Sequence, residues 1–534
     1  MKQLLLANLP VLPIAIPLLT AGLMLLFNEQ QRTAKIILGL LSFGSLFSVA
    51  LTLIQLTDGT LPNAWVNHVG VYLLGNWPAP FSIVIVVDRL AAMMLLLTSI
   101  LAFFTWLYGT SRWDRRGVHF HPLFQLIVMG LNGSFLTGDL FNLFVFFEVF
   151  LAASYGLMLH GSGKERVANG LHYIAVNLLS SFLLLISIAL IYGLTGSLNM
   201  AEVATLAAQL TGSDRSLFEL AAAILGVAFL IKAAAWPLNF WLIGAYSNAS
   251  APVAGLFSIM TKVGVYALLR IGSLLEPSGA PAAFGGNWLF PVGITTLAFG
   301  SIGMLATHQP ERLASYSIII SSGTLLAALG MPGVILTAPA LYYLLSSVLA
   351  AGAFFLLLEM IKRLQPFGSD LLAVSEDAFD LRDLGDEEGL EDTVGIPFPI
   401  PMVFLGLGFL ACALLIIGLP PLSGFVAKFS LLSAALFSSG ATSSAWVLTA
   451  AVLISGFVGI MSFSRMGIHL FWAVQNTELP TLRFTEVLPV LALITCCAAL
   501  AIWAGPVSQY LEQTAHYLGQ PNLYIEAVLT SHTP

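Results

Sequence analysis

Apolar runs long enough to cross a bilayer, about twenty residues each, recur along almost the whole chain and limit its fold more than any other feature. A backbone in hydrocarbon has no water to pair with, so it must satisfy its own N–H and C=O groups, and such runs fold as helices. The runs cover 4–27, 36–56, 85–109, 120–138, 140–160, 167–193, 217–238, 250–273, 286–307, 312–331, 336–361, 400–433, 443–465 and 484–505. With 58% hydrophobic and 9% charged residues, the composition fits no water-soluble globule. The expected fold is an all-α polytopic membrane protein of about 14 transmembrane helices. No small-residue cleavage pattern follows the first run, which reads as a retained span rather than a signal peptide. Cys412, Cys496 and Cys497 sit in apolar runs at no metal-binding spacing and read as packing residues.

Charge is distributed unevenly. Between Asp370 and Asp392 ten acids and one base contribute −9, so a net charge of −7 leaves +2 for the rest of the chain. The acidity belongs to one hydrophilic loop, expected at 365–398. An outside N-terminus puts thirteen of the twenty Lys and Arg on inner loops or span ends and four on the other side; the last three lie within spans. That bias predicts both termini outside and the acidic loop in the cytoplasm.

The three intramembrane lysines, Lys232, Lys262 and Lys428, share this placement with one glutamate, Glu148. An ionisable group at mid-bilayer costs at least ~2.5–3.5 kcal/mol and is retained where a partner or a hydrated path holds it. Glu148 lies about nine residues into the fifth run, near 13 Å deep, and Lys262 about twelve into the eighth, near 18 Å. Two of the lysines accompany prolines. The seventh run reads FLIKAAAWPLNFW, with Lys232 ahead of Pro237, and the twelfth reads GLPPLSGFVAKF, with Pro420 and Pro421 ahead of Lys428. Proline removes a backbone donor and clashes with the preceding turn, so each helix should break there.

Breaks five spans apart suggest two copies of a five-span unit with a transport site between them. The expected organisation is 1–118 (helices 1–3), 119–275 (helices 4–8), 276–470 (helices 9–13 with the acidic loop) and 471–534 (helix 14 and tail). The segment Asn199–Gln209 is either an interfacial helix or an ordinary loop helix.

A lysine whose carboxylate partner approaches or withdraws takes up or releases a proton, because burial favours the neutral amine and the carboxylate the charged one. Glu148 is the expected switch for Lys232; Lys262 would accept the proton next and Lys428 deliver it. A static Glu148–Lys232 ion pair locking two helices is the structural alternative. His172, near the inner end of the sixth run, is a candidate for proton intake. Candidate hydroxyls are Ser180, Ser181, Thr261, Ser321, Ser322, Ser346 and Ser347, each also a plausible packing residue. Asp88–Arg89 and Asp139 read as structural charges at the outer surface. No phosphate-binding loop, GxGxxG, CxxC or HExxH appears, so neither a cofactor, a nucleic-acid partner nor enzyme chemistry is expected.

TGDLFNLFVFFEVFLAASYGLML (137–159), the stretch from Lys232 to Arg270, and GLPPLSGFVAKF (418–429) resemble the D-type subunits of Mrp-type monovalent cation/proton antiporters. That family belongs with the antiporter-like subunits of respiratory complex I and membrane hydrogenases. The resemblance implies inverted five-helix repeats with broken helices 7 and 12, an essential glutamate at Glu148 and relay lysines at Lys232, Lys262 and Lys428. It also implies partners: the other subunits of a complex that exchanges sodium or other alkali cations for protons. Asn239 and the pair Ser346–Ser347 stand where relatives often carry histidine, which leaves the route through helix 11 open. A redox-driven pump subunit is the competing function; a non-transporting scaffold and a self-sufficient carrier are weaker ones.

Overall fold

The computed structural model describes residues 8–62, 65–77, 83–276, 288–332, 335–363, 400–437, 442–471 and 482–530. Among them the first half runs α1 (Leu12–Leu25), α2 (Arg32–Thr57), β1 (Gly70–Leu73), β2 (Val84–Val87), α3 (Arg89–Arg112), α4 (Phe120–Leu136), α5 (Leu140–Met158), α6 (Lys164–Thr195), α7 (Met200–Ala207), α8 (Gly212–Lys232), α9 (Phe240–Asn248) and α10 (Ala251–Leu275). The second half runs α11 (Leu289–Ala306), α12 (Pro310–Leu329), α13 (Thr337–Lys362), α14 (Ile400–Ile417), α15 (Ser423–Phe437), α16 (Ser443–Phe471), α17 (Phe484–Ile502), α18 (Ala504–Leu518) and α19 (Pro521–Thr530). β1 and β2 form an antiparallel hairpin, with Gly70 opposite Val87.

Eleven of these helices are long and apolar enough to cross a membrane. The shorter apolar α1 and α4 add two, and the pieces α8 and α9 together make another, which recovers the fourteen expected spans. Both proline breaks are present. α8 stops at Lys232, and α14 stops at Ile417 with α15 resuming at Ser423. In the first break Ala234 adopts a left-handed φ of 55°, and the Trp241 indole donates to the Ile231 carbonyl at 3.3 Å.

α10, α12 and α13 are the most enclosed helices, while α2 and α17 show most of their surface. α10 meets α8 backbone to backbone: a Cβ on Gly264 would lie 2.6 Å from the Phe229 carbonyl oxygen. The two bundle ends differ in chemistry. At one, Arg112 and Arg363 each reach the fully buried Glu486 at 2.9 Å, and Ser111 donates to it at 3.0 Å. We call this the arginine-rich end.

At the other end Arg270 pairs with Asp88 at 2.6 Å, and Arg89 with Asp58 at 2.8 Å. Asp88 and Arg89 therefore do not pair with each other, as their adjacency suggested. Asp88 accepts from the Ala91 N–H and caps α3, so its carboxylate turns away from its neighbour. The rings of Tyr510 and Tyr517 flank Arg89, which docks α18 on this end. Asn199 caps α7, whose Met200, Val203 and Ala207 are buried against α10 and α19: an ordinary loop helix. The three cysteines are free thiols. The acidic stretch 370–392 lies outside the described residues.

Candidate functional site

Asp139 caps α5 by accepting from the Asn142 N–H at 2.8 Å, and nine residues on the helix presents Glu148 toward α6. Ser181 of α6 donates its hydroxyl to Glu148 Oε1. One turn earlier on the same face is Asn177. Lys232, the last residue of α8 and only 6% exposed, reaches both: its Nζ lies 3.5 Å from the Asn177 carbonyl and 3.5 Å from Ser181 Oγ. The Phe147 ring sits beneath the ammonium, 5.7 Å from its centroid.

Donor and acceptor roles are fixed here by chemistry. A charged lysine has only hydrogens to give, a carboxylate only lone pairs, and a hydroxyl does both. The order is therefore Lys232 to Ser181 to Glu148. Among the described residues no direct ion pair joins Lys232 to a carboxylate, so a static Glu148–Lys232 lock is not what the fold builds. Ser180, one residue away, donates instead to the Ala228 carbonyl at 2.9 Å and acts in packing.

Lys262 is 1% exposed in the middle of α10, and its Nζ donates to Ser322 Oγ of α12 at 3.2 Å. Beside it is a cavity of about 20 Å³ lined by Lys262, Ser258, Ser317, Ser321, Ser346 and Ser347 among others. That volume suffices for one water. Ser321 donates to Ser347 at 3.0 Å, and Ser346 shares a hydrogen bond of 2.8 Å with Ser423, the first residue of α15. Neighbouring serines thus join α12 to α13 and α13 to α15. Thr261 Oγ1 and Asn239 Nδ2 are buried without a partner among the described residues, the kind of atom that ordered water satisfies.

Lys428, 9% exposed, donates to the carbonyls of Ile417 at 2.7 Å and Ile416 at 3.3 Å. In a continuous helix these two oxygens would receive the N–H groups of residues 421 and 420. Both positions are proline and have none to give. The ammonium therefore occupies the gap that the Pro-Pro pair opens, and Ile416 also borders the Lys262 cavity. The lysines at the two breaks are not placed alike: Lys232 ends the first piece of its helix, whereas Lys428 lies within the second piece.

Residues 137–459 match the family model described as NADH:quinone oxidoreductase/Mrp antiporter, TM. The chain belongs to that family. It is 48% identical to the D-type subunit of a probable K(+)/H(+) antiporter from Rhizobium meliloti, with 98% of each chain covered. It is 32% identical to the D-type subunit of the Na(+)/H(+) antiporter of Alkalihalophilus pseudofirmus, over 98% of this chain and 99% of the relative. A chain of the Mrp complex from Dietzia superposes with a TM-score of 0.79 at 26% identity, covering 98% of this chain and 99% of its own length. Family membership thus stands on the same stretches that carry the buried charges.

Of the residues singled out in the sequence, the fold brings Glu148 to Lys232 through Ser181, and sets Lys262 on a cavity that also borders Ile416, whose carbonyl accepts from Lys428. It does not bring His172. That histidine is exposed and bonded to the Ala168 carbonyl of its own helix at 3.0 Å. Nine residues from Ser181, it points half a turn away from the Glu148 side. Ser423 and Asn177 were missed. Ser423 follows the Pro-Pro break at the start of a helix, a position that could have drawn attention; Asn177 acts through its backbone carbonyl, which leaves no side-chain signal.

Proposed function

We propose that this chain is the proton-translocating subunit of a multi-subunit alkali cation/proton antiporter in a bacterial cell membrane. The Lys232–Ser181–Glu148 chain carries the reading: three groups at mid-span, ordered donor to acceptor, able to pass a proton while Ser181 turns over its single hydrogen. From Lys232 the path continues to Lys262, then along the serine-lined cavity to the carbonyls under Lys428. Each relay amine is enclosed by protein, so its charge state follows its neighbours rather than bulk water. Helices 4–8 (119–275) and 9–13 (276–470) act as the two repeats. Five spans is an odd number, so the second copy inserts upside down relative to the first.

Partner subunits follow from the surface around Glu148. It is half-buried on a face of α5 where Phe141 and Val145 are exposed. A carboxylate so placed is expensive against lipid, and a neighbouring subunit covering this face removes the cost. The relatives are named for potassium and for sodium, so exchange is to be measured with both ions.

The deciding experiment uses the assembled complex in everted membrane vesicles. Glu148→Ala and Lys232→Ala are each expected to abolish cation-dependent proton exchange while the complex still assembles. Undiminished exchange in both variants would remove the proposal. The redox-driven alternative has less support: the family description also covers NADH:quinone oxidoreductase, but the relatives at 48% and 32% identity are named as antiporter subunits.

A further inference from the structure

With His172 turned away, the line needs another intake, and a polar well at the arginine-rich end is placed to supply it. The well encloses about 260 Å³ between the close of α9, the start of α12 and the last turns of α13 and α16. His308 and Glu311 stand at the α12 side and His469 on α16; Glu165, Arg312 and Lys362 complete its charged wall. Glu311 holds Lys362 at 2.8 Å. Arg465 fixes the segment leading to His308 by donating to the carbonyls of Leu305 at 2.7 Å and Thr307 at 2.8 Å.

The well and the Lys262 cavity share two helices. α12 passes from Arg312 in the well to Ser317 in the cavity, a rise of about 7.5 Å, and α13 from Leu358 to Ala351, about 10 Å. Along these helices between the two, Leu313, Ala314 and Phe354 are buried, and so is one serine hydroxyl. That hydroxyl is Ser315, fully buried and donating to the Glu311 carbonyl at 2.9 Å.

We propose that this well is the antechamber through which protons pass between water at the arginine-rich end and Lys262, with His308, Glu311 and His469 as collecting groups and Ser315 as the stepping hydroxyl between well and cavity. The proposal rests on the relay reading above. Imidazoles change charge near neutrality, and a carboxylate beside them attracts protons to the well; amines and guanidinium groups ordinarily do neither. In the inward step an imidazolium gives one proton to water in the well. Ser315 accepts a proton and releases its own, and the neutral Lys262 amine becomes ammonium. Glu165, Glu311, Arg312 and Lys362 are the charged groups that share the well with the two imidazoles.

The test uses the whole complex carrying His308→Gln and His469→Gln together, assayed for cation-driven proton exchange between about pH 6.5 and about pH 9. Exchange is expected near the parent rate at the acid end and roughly fivefold lower at the alkaline end, where scarce protons make collection limiting. Equal loss at every pH, or an unchanged profile, overturns the proposal. As a second measurement, Ser247→Cys at the wall of the well is labelled with a cationic methanethiosulfonate. Labelled complex should exchange about tenfold more slowly than the same variant unlabelled, because the label fills space in the well through which the protons pass and adds a fixed positive charge there. Equal rates at confirmed labelling overturn the proposal. Lys262→Ala separates the two levels: normal exchange in that variant sinks the relay itself, whereas loss there with normal well variants sinks only the antechamber.

Discussion

At the scale of single residues, Ser181 is the hinge of the first half of the line. Removing its hydroxyl leaves Lys232 and Glu148 in place but breaks the order between them. A hydrogen bond to a charged group contributes ~1.5–3 kcal/mol, so Ser181→Ala is expected to slow exchange on the order of tenfold or more, with Ser181→Thr restoring much of it. Exchange measured in vesicles, with Glu148→Ala as the zero, checks this. Asp139 makes a different prediction. Burial, the largest influence, pushes its carboxyl up to about 6, against the pull of the Asn142 and Phe141 N–H groups. A raised folded-state value means full stability below the unfolded value near 3.9 and a loss that grows as pH rises through about 6. Asp139→Asn keeps the capping oxygen without the charge. It should raise thermal stability by ~2–3 kcal/mol above about pH 6, with the gain shrinking as pH falls toward 4. Melting curves of the purified complex at both ends of that range are the check. The buried charges were legible in the sequence because an apolar run makes each one conspicuous. The choice of Ser181 over Ser180 was not: both are buried serines of one helix, and only the packing of α5 and α8 against α6 decides which one meets the glutamate.

At the scale of elements, the breaks were legible because proline announces itself, and both appear where the sequence put them. What the sequence did not carry is how each break is satisfied. Lys428 fills the carbonyls that Pro420 and Pro421 abandon, a role that needs the start of α15 to pack beside the end of α14. His172 shows the reverse case. Its half-turn offset from Ser181 is written in the helical period, yet it became readable only once the structure showed which face of α6 points inward. The contact of α10 with α8 sets the spacing of Lys232 and Lys262 and depends on Gly264, since a methyl group there would press on the Phe229 carbonyl. Backbone cannot rotate aside as a side chain does, so Gly264→Ala should force the two helices apart. The expected cost is ~1–3 kcal/mol in stability, together with slower exchange. A variant with parent melting temperature and parent rate would show that the approach has slack.

At the scale of the whole molecule, the two ends are told apart by how their cations are used. At the end bearing α18 and α19, Arg89, Arg215 and Arg270 each have an acidic partner, Asp58, Glu219 and Asp88. At the arginine-rich end Arg115, Arg116, Lys164, Arg312 and Arg465 have no carboxylate within ion-pair distance among the described residues. The positive-inside bias counts Lys and Arg close to the span ends, and the arginine-rich end carries more of them. The arginine-rich end, and the polar well with it, is therefore expected to face the cytoplasm, with both chain ends on the other side. A single cysteine in place of Ser213, exposed in the first turn of α8 on the opposite face, should react with a membrane-impermeant maleimide in intact cells. One in place of Lys164, exposed at the start of α6, should react only in everted vesicles. The opposite pattern would invert the molecule and make the well an outward-facing chamber, so that protons moving toward Lys262 would come from outside the cell.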